Sequence, residues 1–386
     1  MTYTMESGSQ VYRIHALDLE TLADKIGAGV IVTASGVLSN STIYNFNPAV
    51  SRQRSALLEA NGNIYAGFAS FCDFSASSSR GWLLGWNAST LTPLAANKLL
   101  DRQASAPSTF FLSSIWMSGA GPAVDENGNL FFATGNSDPA GTSYDPVLNL
   151  CESVVEMSAD LTTAIGAFTP TQSPDSQPTL DAEDEDLGAG GVLLIPYQPS
   201  LPIPYLALSI GKAGYYYLLN RSATFAGPTN LGKISQRLDG GSDCHCANTY
   251  FTGADGIPRV VTGIGDELST FKLTASAGSV VMTPEHVQTL HSGQDPSFFT
   301  SISSNGTTAG SAIIWAVTRP TASPFEINLV AFDNPDNAII YTSSGAKAGT
   351  WPHTNGDANL VPAVADGRVF VGSYKNLAIF GIGGSP

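Results

Sequence analysis

Short apolar runs joined by tight turns recur along the chain, and no long stretch has a helical period. In residues 57–70, 114–137 and 362–374, an apolar run, a turn containing Gly and a second apolar run ending in small residues follow one another. The turns are Asn61-Gly62, Asn127-Gly128 and Asp366-Gly367. Such pairs tolerate positive φ at both turn residues and are the strongest short-range hairpin signal. The pattern therefore predicts three β-hairpins.

A third kind of segment recurs along the chain, in which a large apolar residue precedes a polar or small one. Seven such residues are found, at intervals of 48 to 71: Leu17, Trp86, Met157, Leu219, Phe271, Phe332 and Phe380. Seven units of this length, each with three or four short strands, are typical of a β-propeller. The sequence thus predicts an all-β fold with seven recognisable blade units in a single domain, residues 1–386.

Stacking explains why such units repeat. A single four-stranded sheet cannot cover both of its faces, whereas neighbouring sheets can bury them between one another. Small residues follow the second strand in the predicted hairpins, as in Ala66-Gly67 and Gly372-Ser373. We expect them where inner strands crowd together.

The repeats resemble those of the quinoprotein, or PQQ-repeat, β-propellers, whose motif is Ala-x-Asp-x-x-Thr-Gly-x-x-x-Trp. The first unit matches this motif at Ala16, Asp18 and Thr21. Other units keep fewer positions: Thr90 in the second, and Ala331 and Asp333 in the sixth, with Tyr341 in place of Trp. The motif's docking Trp is replaced in the first three units, by Ile26, Ala95 and Gly166. Other apolar residues must therefore carry the stacking of the blades.

Longer segments resemble a secreted, mostly uncharacterised branch of these propellers: QRSALL, IWMSGAGPA, DLGAGGVLL, GKAGYYYLLNR and SSNGT. The family usually has eight blades, and a strand is missing from both the first and the last unit. We therefore expect an N-terminally truncated eight-bladed propeller, with a true seven-bladed ring as the alternative. An open seam would leave unpaired strand edges through which the chain could associate.

Charge limits the partners. Of the 386 residues, 13% are charged, and the net charge is −15. Such a chain repels phosphate backbones, so we expect no nucleic-acid partner. The sequence has no run of 18 apolar residues to span a membrane and no signal peptide at its start. The low charge is typical of secreted proteins, so we expect an extracellular or periplasmic location.

The resemblance implies a specific chemistry. Enzymes of the family hold the tricarboxylic quinone PQQ over a Trp and under a disulfide of adjacent cysteines, with a calcium or lanthanide ion and a catalytic Asp. This sequence has no adjacent cysteines and offers only three cations for the quinone, Arg54, Arg80 and Lys212. We therefore expect a scaffold that binds a protein or carbohydrate at the channel mouth. The alternative is an alcohol or sugar dehydrogenase that uses PQQ and calcium.

Several residues are candidates for the site. Trp116 is either packing between blades or a stacking floor for a planar ligand, and Arg54 could bind an anion. The acidic run 181–186 is a solvated loop or a weak metal site through Asp184 and Asp186. Asp186 precedes a predicted buried strand, so it is our first candidate for a catalytic or ligand-binding carboxylate. Further ligand-binding candidates are Asp73, His245 and Asn305.

Four cysteines stand at positions 72, 151, 244 and 246. They are too few for a disulfide scaffold in so long a chain. Cys244 and Cys246 flank His245, which is a weak metal signal. Buried thiols or a single disulfide are the simpler interpretation.

Overall fold

The computed structural model describes residues 1–71, 79–104, 111–137, 144–171, 174–221, 233–239, 246–290, 297–320, 322–334, 336–352 and 359–381. They fall into two compact units. Unit 1 contains Met1–Met117 and Gly121–Ala189, and unit 2 contains Ser118–Ala120, Gly190–Ser222 and Lys233–Pro386. In both units the strands form consecutive antiparallel sheets, which we number 1 to 7 along the chain.

Unit 1 contains sheets 1 to 3. Its strands are β1 (Thr2–Glu6), β2 (Ser9–Ile14), β3 (Val30–Ile31), β4 (Ser35–Val37), β5 (Ile43–Asn45), β6 (Ser51–Arg52), β7 (Leu58–Ala60), β8 (Asn63–Ser70), β9 (Ser79–Arg80), β10 (Trp82–Asn87), β11 (Lys98–Leu99), β12 (Phe111–Leu112), β13 (Ala123–Val124), β14 (Leu130–Ala133), β15 (Val154–Met157) and β16 (Ala164–Phe168). Sheet 1 has the order β1-β2-β3, sheet 2 the order β11-β10-β8-β6 with β7 also on β8, and sheet 3 the order β13-β14-β15-β16. Strands β4 and β5 form a separate hairpin, and β9 and β12 a short parallel pair. A helix, α1 (Gln177–Glu183), and a 3-10 turn, Leu187–Ala189, follow sheet 3.

Unit 2 contains sheets 4 to 7. Its strands are β17 (Val192–Ile195), β18 (Leu206–Ser209), β19 (Tyr215–Asn220), β20 (Lys233–Asp239), β21 (Thr249–Thr252), β22 (Pro258–Ile264), β23 (Glu267–Ser276), β24 (Ser279–Thr289), β25 (Thr300–Ser303), β26 (Ile313–Val317), β27 (Leu329–Asp333), β28 (Ile339–Thr342), β29 (Ala363–Ala365), β30 (Arg368–Ser373) and β31 (Asn376–Gly381). Sheets 4, 5 and 6 are four-stranded meanders in chain order, and sheet 7 has the order β29-β30-β31. The seven numbered sheets match the seven predicted units, and the β4–β5 hairpin and the β9–β12 pair are separate from them.

Successive residues of one strand pack into two different hydrophobic cores, one on each face of the sheet. In β10, Trp82 and Leu84 pack in the core that sheets 1 and 2 share, whereas Leu83 packs in the core that sheets 2 and 3 share. In β22, Val260 faces the core shared with sheet 4 and Val261 the core shared with sheet 6. Strand side chains point to opposite faces in turn, so each such sheet is buried on both sides by its neighbours. This confirms the predicted stacking.

The predicted hairpins form, with one difference in their turns. Both turn residues have positive φ in two hairpins, with 56° and 71° at Asn61-Gly62 and 48° and 68° at Asp366-Gly367. At the third hairpin positive φ is found at Gly128 but not at Asn127. There the turn is longer, because the Asp125 carboxylate accepts hydrogen bonds from the backbone N–H groups of Asn127 and Asn129 at 2.9 and 2.8 Å.

Candidate functional site

The segment containing Trp116 is held on three sides within unit 1. Ile115 N–H donates to the Phe68 carbonyl at 3.2 Å, Met117 N–H to the Gly188 carbonyl at 2.7 Å, and Gly135 N–H to the Ser114 carbonyl at 2.9 Å. Strand β8, the 3-10 turn and the end of β14 therefore fix this segment. Trp116 is 6% exposed and clusters with Ala69. The geometry agrees with the packing interpretation of Trp116.

Arg54 lies over the Trp116 ring, with its guanidinium carbon 5.6 Å from the ring centroid. A cation over an indole face is attracted by the ring quadrupole. The structure thus brings together two predicted site residues that stand 62 positions apart in the sequence. The cation occupies ring surface that a planar ligand would need for stacking.

Asp186, the first candidate carboxylate, turns inward and is 2% exposed. Its Oδ1 accepts a hydrogen bond from Asn136 N–H at 2.9 Å. Gly135, which precedes Asn136, packs closely against this carboxylate, because a Cβ added there would lie 1.9 Å from Asp186 Oδ1 and 3.1 Å from Trp116 Cδ1. Trp116, Gly135 and Asp186 are therefore neighbours in one tightly packed site.

The rest of the acidic run also bonds to the loop after β14. Asp184 Oδ1 accepts from Asn136 Nδ2 at 2.7 Å, and Asp181 Oδ1 accepts from Ser137 N–H at 2.6 Å. Asp181 lies in α1 and is buried, and Asp184 ends the helix with φ 61°. The solvated-loop interpretation of the acidic run is therefore wrong for Asp181, which is 4% exposed. These carboxylates attach α1 to the strand end.

Glu152 belongs to the same cluster and was missed by the sequence analysis. It is fully buried and its Oε2 accepts a hydrogen bond from Leu187 N–H at 2.7 Å. The sequence did contain a signal for it, because Glu152 is a charged residue within the mostly apolar segment LNLCESVVEM. In the described part of the chain, no group of three or more His, Cys, Asp or Glu side chains is placed to hold a metal. The oxygens of Asp184 and Asp186 instead accept hydrogen bonds from Asn136.

The structure describes two of the four cysteines, Cys151 and Cys246. Burial raises the pKa of the Cys151 thiol well above its usual value, and Asp181, Glu152 and Asp101 act in the same direction. A thiol of raised pKa stays protonated and is a poor nucleophile. Cys246 is disulfide-bonded. Cys72 and Cys244 lie outside the described residues, as do the candidates Asp73 and His245.

Arg80 is already bound to another residue of the protein. It was one of the three cations considered for an anionic ligand. It is 5% exposed and forms an ion pair with the fully buried Asp101. Its second guanidinium nitrogen donates to the Gln103 carbonyl at 3.1 Å. Breaking a buried pair leaves an unpaired charge, which is strongly unfavourable.

A cavity of about 650 Å³ lies in unit 2 between sheets 6 and 7. Its walls are mostly apolar and aromatic, with hydroxyl and amide groups and one arginine among them: Ser303, Ser304, Asn305, Ser311, Ile313, Trp315, Tyr341, Val364, Gly367, Arg368, Val369, Phe380 and Gly381. Trp315 Nε1 donates to Ser303 Oγ at 2.9 Å, which fixes the indole. The rings of Tyr341 and Phe380 meet edge to face, 6.4 Å apart. Among the predicted site residues, Asn305 lies here.

Arg368 is the cation of this cavity. It is exposed, and among the described residues it has no ion-pair partner. Its side chain runs beside Gly381, the last residue of β31. The cavity therefore combines apolar walls with one available positive charge.

Comparison with known proteins identifies the fold. No protein-family model and no curated protein matches the chain. The quinohemoprotein alcohol dehydrogenase ADHIIG from Pseudomonas putida HK5 is similar in structure, with a TM-score of 0.53 at 10% identity over 96% of this chain and 61% of that one. Sqt1 from Chaetomium thermophilum, solved bound to the N-terminus of ribosomal protein L10, gives 0.47 at 11% identity over 91% and 77%. Trypanosoma rangeli sialidase gives 0.44 at 12% identity over 97% and 59%.

The chain is an all-β protein with the β-propeller fold. At 10% identity, the similarity to the quinohemoprotein dehydrogenase shows this fold alone. The chain spans 61% of the length of that enzyme. Function has to be argued from the sites, because one fold supports many activities.

Proposed function

We propose that this propeller binds a ligand without converting it, and that the ligand enters the cavity between sheets 6 and 7. The observation that carries this proposal is the cavity itself, about 650 Å³ with apolar and aromatic walls. Ligand sites in proteins are typically concave, mostly apolar and roughly 300–1,000 Å³ in volume, with a few polar groups that orient the ligand. Here Asn305, the serines and Arg368 are those groups.

The walls favour a polypeptide ligand. Trp315, Tyr341 and Phe380 offer ring surface, and aromatic residues are enriched where proteins bind other proteins. Apolar or aromatic side chains of a peptide can fill such a cavity, while Arg368 attracts a carboxylate.

The geometry of unit 1 supports binding over quinone catalysis. Trp116 is 6% exposed and carries Arg54 on its ring, while Asp186 is bonded to Asn136. Arg80 is paired with Asp101. These residues do not fit PQQ, which needs an open ring face, free cations and a free carboxylate. Quinone absorbance and dye reduction after addition of PQQ and calcium would contradict this proposal.

We also propose that the protein is a secreted relative of the quinoprotein propellers, in line with the segments QRSALL and DLGAGGVLL. The disulfide at Cys246 supports an oxidising compartment. No helix in the described residues is long and apolar enough to cross a bilayer. Reactivity of Cys246 with iodoacetamide, in unreduced protein taken from its native host and denatured, would contradict this location.

A titration with 8-anilinonaphthalene-1-sulfonate tests the cavity. This probe is an aromatic anion and suits apolar walls beside Arg368. We expect saturable 1:1 binding by the native protein, with near-ultraviolet circular dichroism unchanged. Ser304→Trp should block the rim of the cavity, and Arg368→Ala should remove its charge, so both should weaken binding several-fold. Ser276→Trp places the same ring at an exposed position on sheet 5 and serves as the control. Equal binding by Ser304→Trp and the native protein would overturn the proposal.

A further inference from the structure

Two cations of unit 1, Lys98 and Arg102, line the same pair of cavities. The larger cavity, of about 520 Å³, lies between β11 and β16, the fourth strands of sheets 2 and 3. The smaller, of about 430 Å³, lies between sheet 2 and the β4–β5 hairpin. Thr162 is also on the wall of both. Because they share these three residues, the cavities adjoin, with positive charge where they meet.

Arg102 is fixed in place by hydrogen bonds. Its N–H donates to the Leu148 carbonyl at 2.6 Å, and its carbonyl accepts from Ser39 N–H at 2.8 Å. Its Nε donates to the Val37 carbonyl at 2.7 Å. Among the described residues, the two terminal guanidinium nitrogens have no hydrogen-bond partner. Paired guanidinium N–H groups bind a carboxylate through two parallel hydrogen bonds, so Arg102 is oriented for an anion.

Lys98 is half-buried, and in the chain as described neither it nor Arg102 forms an ion pair. Burial lowers the pKa of the Lys98 amine, and the positive charge of Arg102 acts in the same direction. The two cations are thus close enough to repel one another. An anion bound beside them would offset both the burial of the charge and this repulsion.

The nearest carboxylates along the chain bond to their own loops. Asp145 Oδ1 accepts hydrogen bonds from the N–H groups of Val147 and Leu148, both at 2.8 Å. Asp160 Oδ1 accepts from the N–H and Oγ1 of Thr162, at 3.1 and 2.8 Å. These bonds shape the loops that form the cavity walls. Ion pairing within the protein therefore does not explain the two cations, in a chain of net charge −15.

One wall of the larger cavity is apolar and is formed by Pro146, Val147, Ala164 and Ile165. Val147 is 57% exposed, although it is a large apolar residue. Among the described residues that line this cavity, none is aromatic. Ligand sites typically combine apolar walls with a few polar groups that orient the ligand. A short aliphatic wall beside two cations suits a small molecule with an aliphatic body and an anionic head.

We propose that Lys98 and Arg102 bind a small aliphatic carboxylate, with its head on the two cations and its body on the apolar wall. This site goes beyond the proposed function, because it belongs to unit 1, whereas the cavity between sheets 6 and 7 belongs to unit 2. A phosphate monoester is a poorer ligand, since a second negative charge is repelled more strongly by a chain of charge −15.

Isothermal titration calorimetry with hexanoate tests the site. We expect saturable 1:1 binding by the native protein, and about tenfold weaker binding of hexan-1-ol, which lacks the charge, and of acetate, which lacks the body. Lys98→Met should weaken hexanoate binding about tenfold, because a charge-assisted contact is lost. Lys347→Met, the same change at an exposed position of unit 2, should not weaken it. Arg102→Lys keeps the charge but loses the paired nitrogens, so it should weaken binding several-fold.

The outcomes separate this site from the cavity between sheets 6 and 7. Ser304→Trp should bind hexanoate as the native protein does, and Lys98→Met should still bind the naphthalene sulfonate, which shows that it is folded. Equal hexanoate binding by Lys98→Met and the native protein would overturn the inference. Loss of hexanoate binding in Ser304→Trp alone would also overturn it and would leave the proposed function intact. Tighter binding of hexyl phosphate than of hexanoate would contradict a carboxylate ligand.

Discussion

At the residue scale, Gly135 is the tightest constraint in the Trp116 site. We predict that Gly135→Ala destabilises unit 1 by about 1–3 kcal/mol, the usual range for overpacking, because the new Cβ would meet Asp186 Oδ1 at 1.9 Å. Gly372→Ala is the control, since a Cβ there meets no atom within 4 Å. Chemical denaturation measures both variants. Equal stability of the two would show that the site is looser than described.

Two leucines stand where the resembled repeat has glycine, and both have positive φ. Leu22 (φ 56°) is 70% exposed, and Leu91 (φ 53°) is buried. A left-handed conformation costs an L-residue about 1–2 kcal/mol. Replacement by glycine removes this cost, but part of the gain is lost because glycine has more conformational entropy in the unfolded chain. We predict that Leu22→Gly leaves the melting temperature unchanged or raises it. Leu91→Gly should lower it, since a buried side chain is lost. A clear loss on Leu22→Gly would show that its side chain has a role here.

The sequence predicted some residues of the Trp116 site correctly. Trp116, Arg54 and Asp186 lie in one unit, and Arg54 contacts the Trp116 ring. The role of Trp116 as packing was one of two alternatives, because a sequence shows neither ring exposure nor the cation above it. The sequence analysis did not predict the cavity and named only one of its residues, Asn305. The walls come from strands of sheets 6 and 7, and the distance between these sheets depends on their packing.

At the scale of elements, the acidic run attaches α1 and the 3-10 turn to the end of β14. We predict that Asp186→Ala lowers the free energy of unfolding by about 1–3 kcal/mol, because the buried Asn136 N–H loses its acceptor. Glu183→Ala, at an exposed position of α1, should change it by less than about 0.5 kcal/mol. Binding of the naphthalene sulfonate should be the same in both. Loss of that binding in Asp186→Ala would point to a ligand site in unit 1.

The pattern of apolar runs and turns in the sequence predicted most of the fold. The large apolar residue lies in the third strand of its sheet in six of the seven repeats, as Trp86, Met157 and Phe332 show, whereas Leu17 follows β2 and lies outside the strands. The pattern did not reveal α1, which is seven residues long and begins beside Pro178 in a polar segment. It also did not reveal the β4–β5 hairpin, because strands of three residues are too short to show a period.

At the scale of the whole molecule, acid should destabilise the protein. Hydrogen bonds from Arg259 hold the pKa of Asp255 well below its usual range. Burial would raise the pKa of Glu285, but hydrogen bonds from Arg259 and Lys272 outweigh it and lower that pKa. A carboxyl group whose pKa is lower in the folded than in the unfolded protein stabilises the folded state fully at pH values above its unfolded pKa of about 4. This contribution is lost as the pH falls through the folded-state pKa.

We therefore predict that stability is retained from pH 7 down to about pH 5 and falls below about pH 4, where the unfolded carboxyl groups bind more protons than the folded ones. Denaturant titrations at stepped pH measure this. Arg259→Leu should flatten the acid limb, because Asp255 then loses the main partner that depresses its pKa and Glu285 keeps only Lys272. An unchanged acid limb in that variant would remove the Arg259 cluster as its source.

Hydrogen exchange measured by mass spectrometry tests the central claim that ligand binds between sheets 6 and 7. With the naphthalene sulfonate bound, we predict slower exchange in Ile313–Val317, Arg368–Ser373 and Asn376–Gly381, and no change around Trp116 and Asp186. PQQ with calcium should change neither region. Protection confined to the Trp116 segment, above all with PQQ, would contradict the account and favour a quinone site in unit 1.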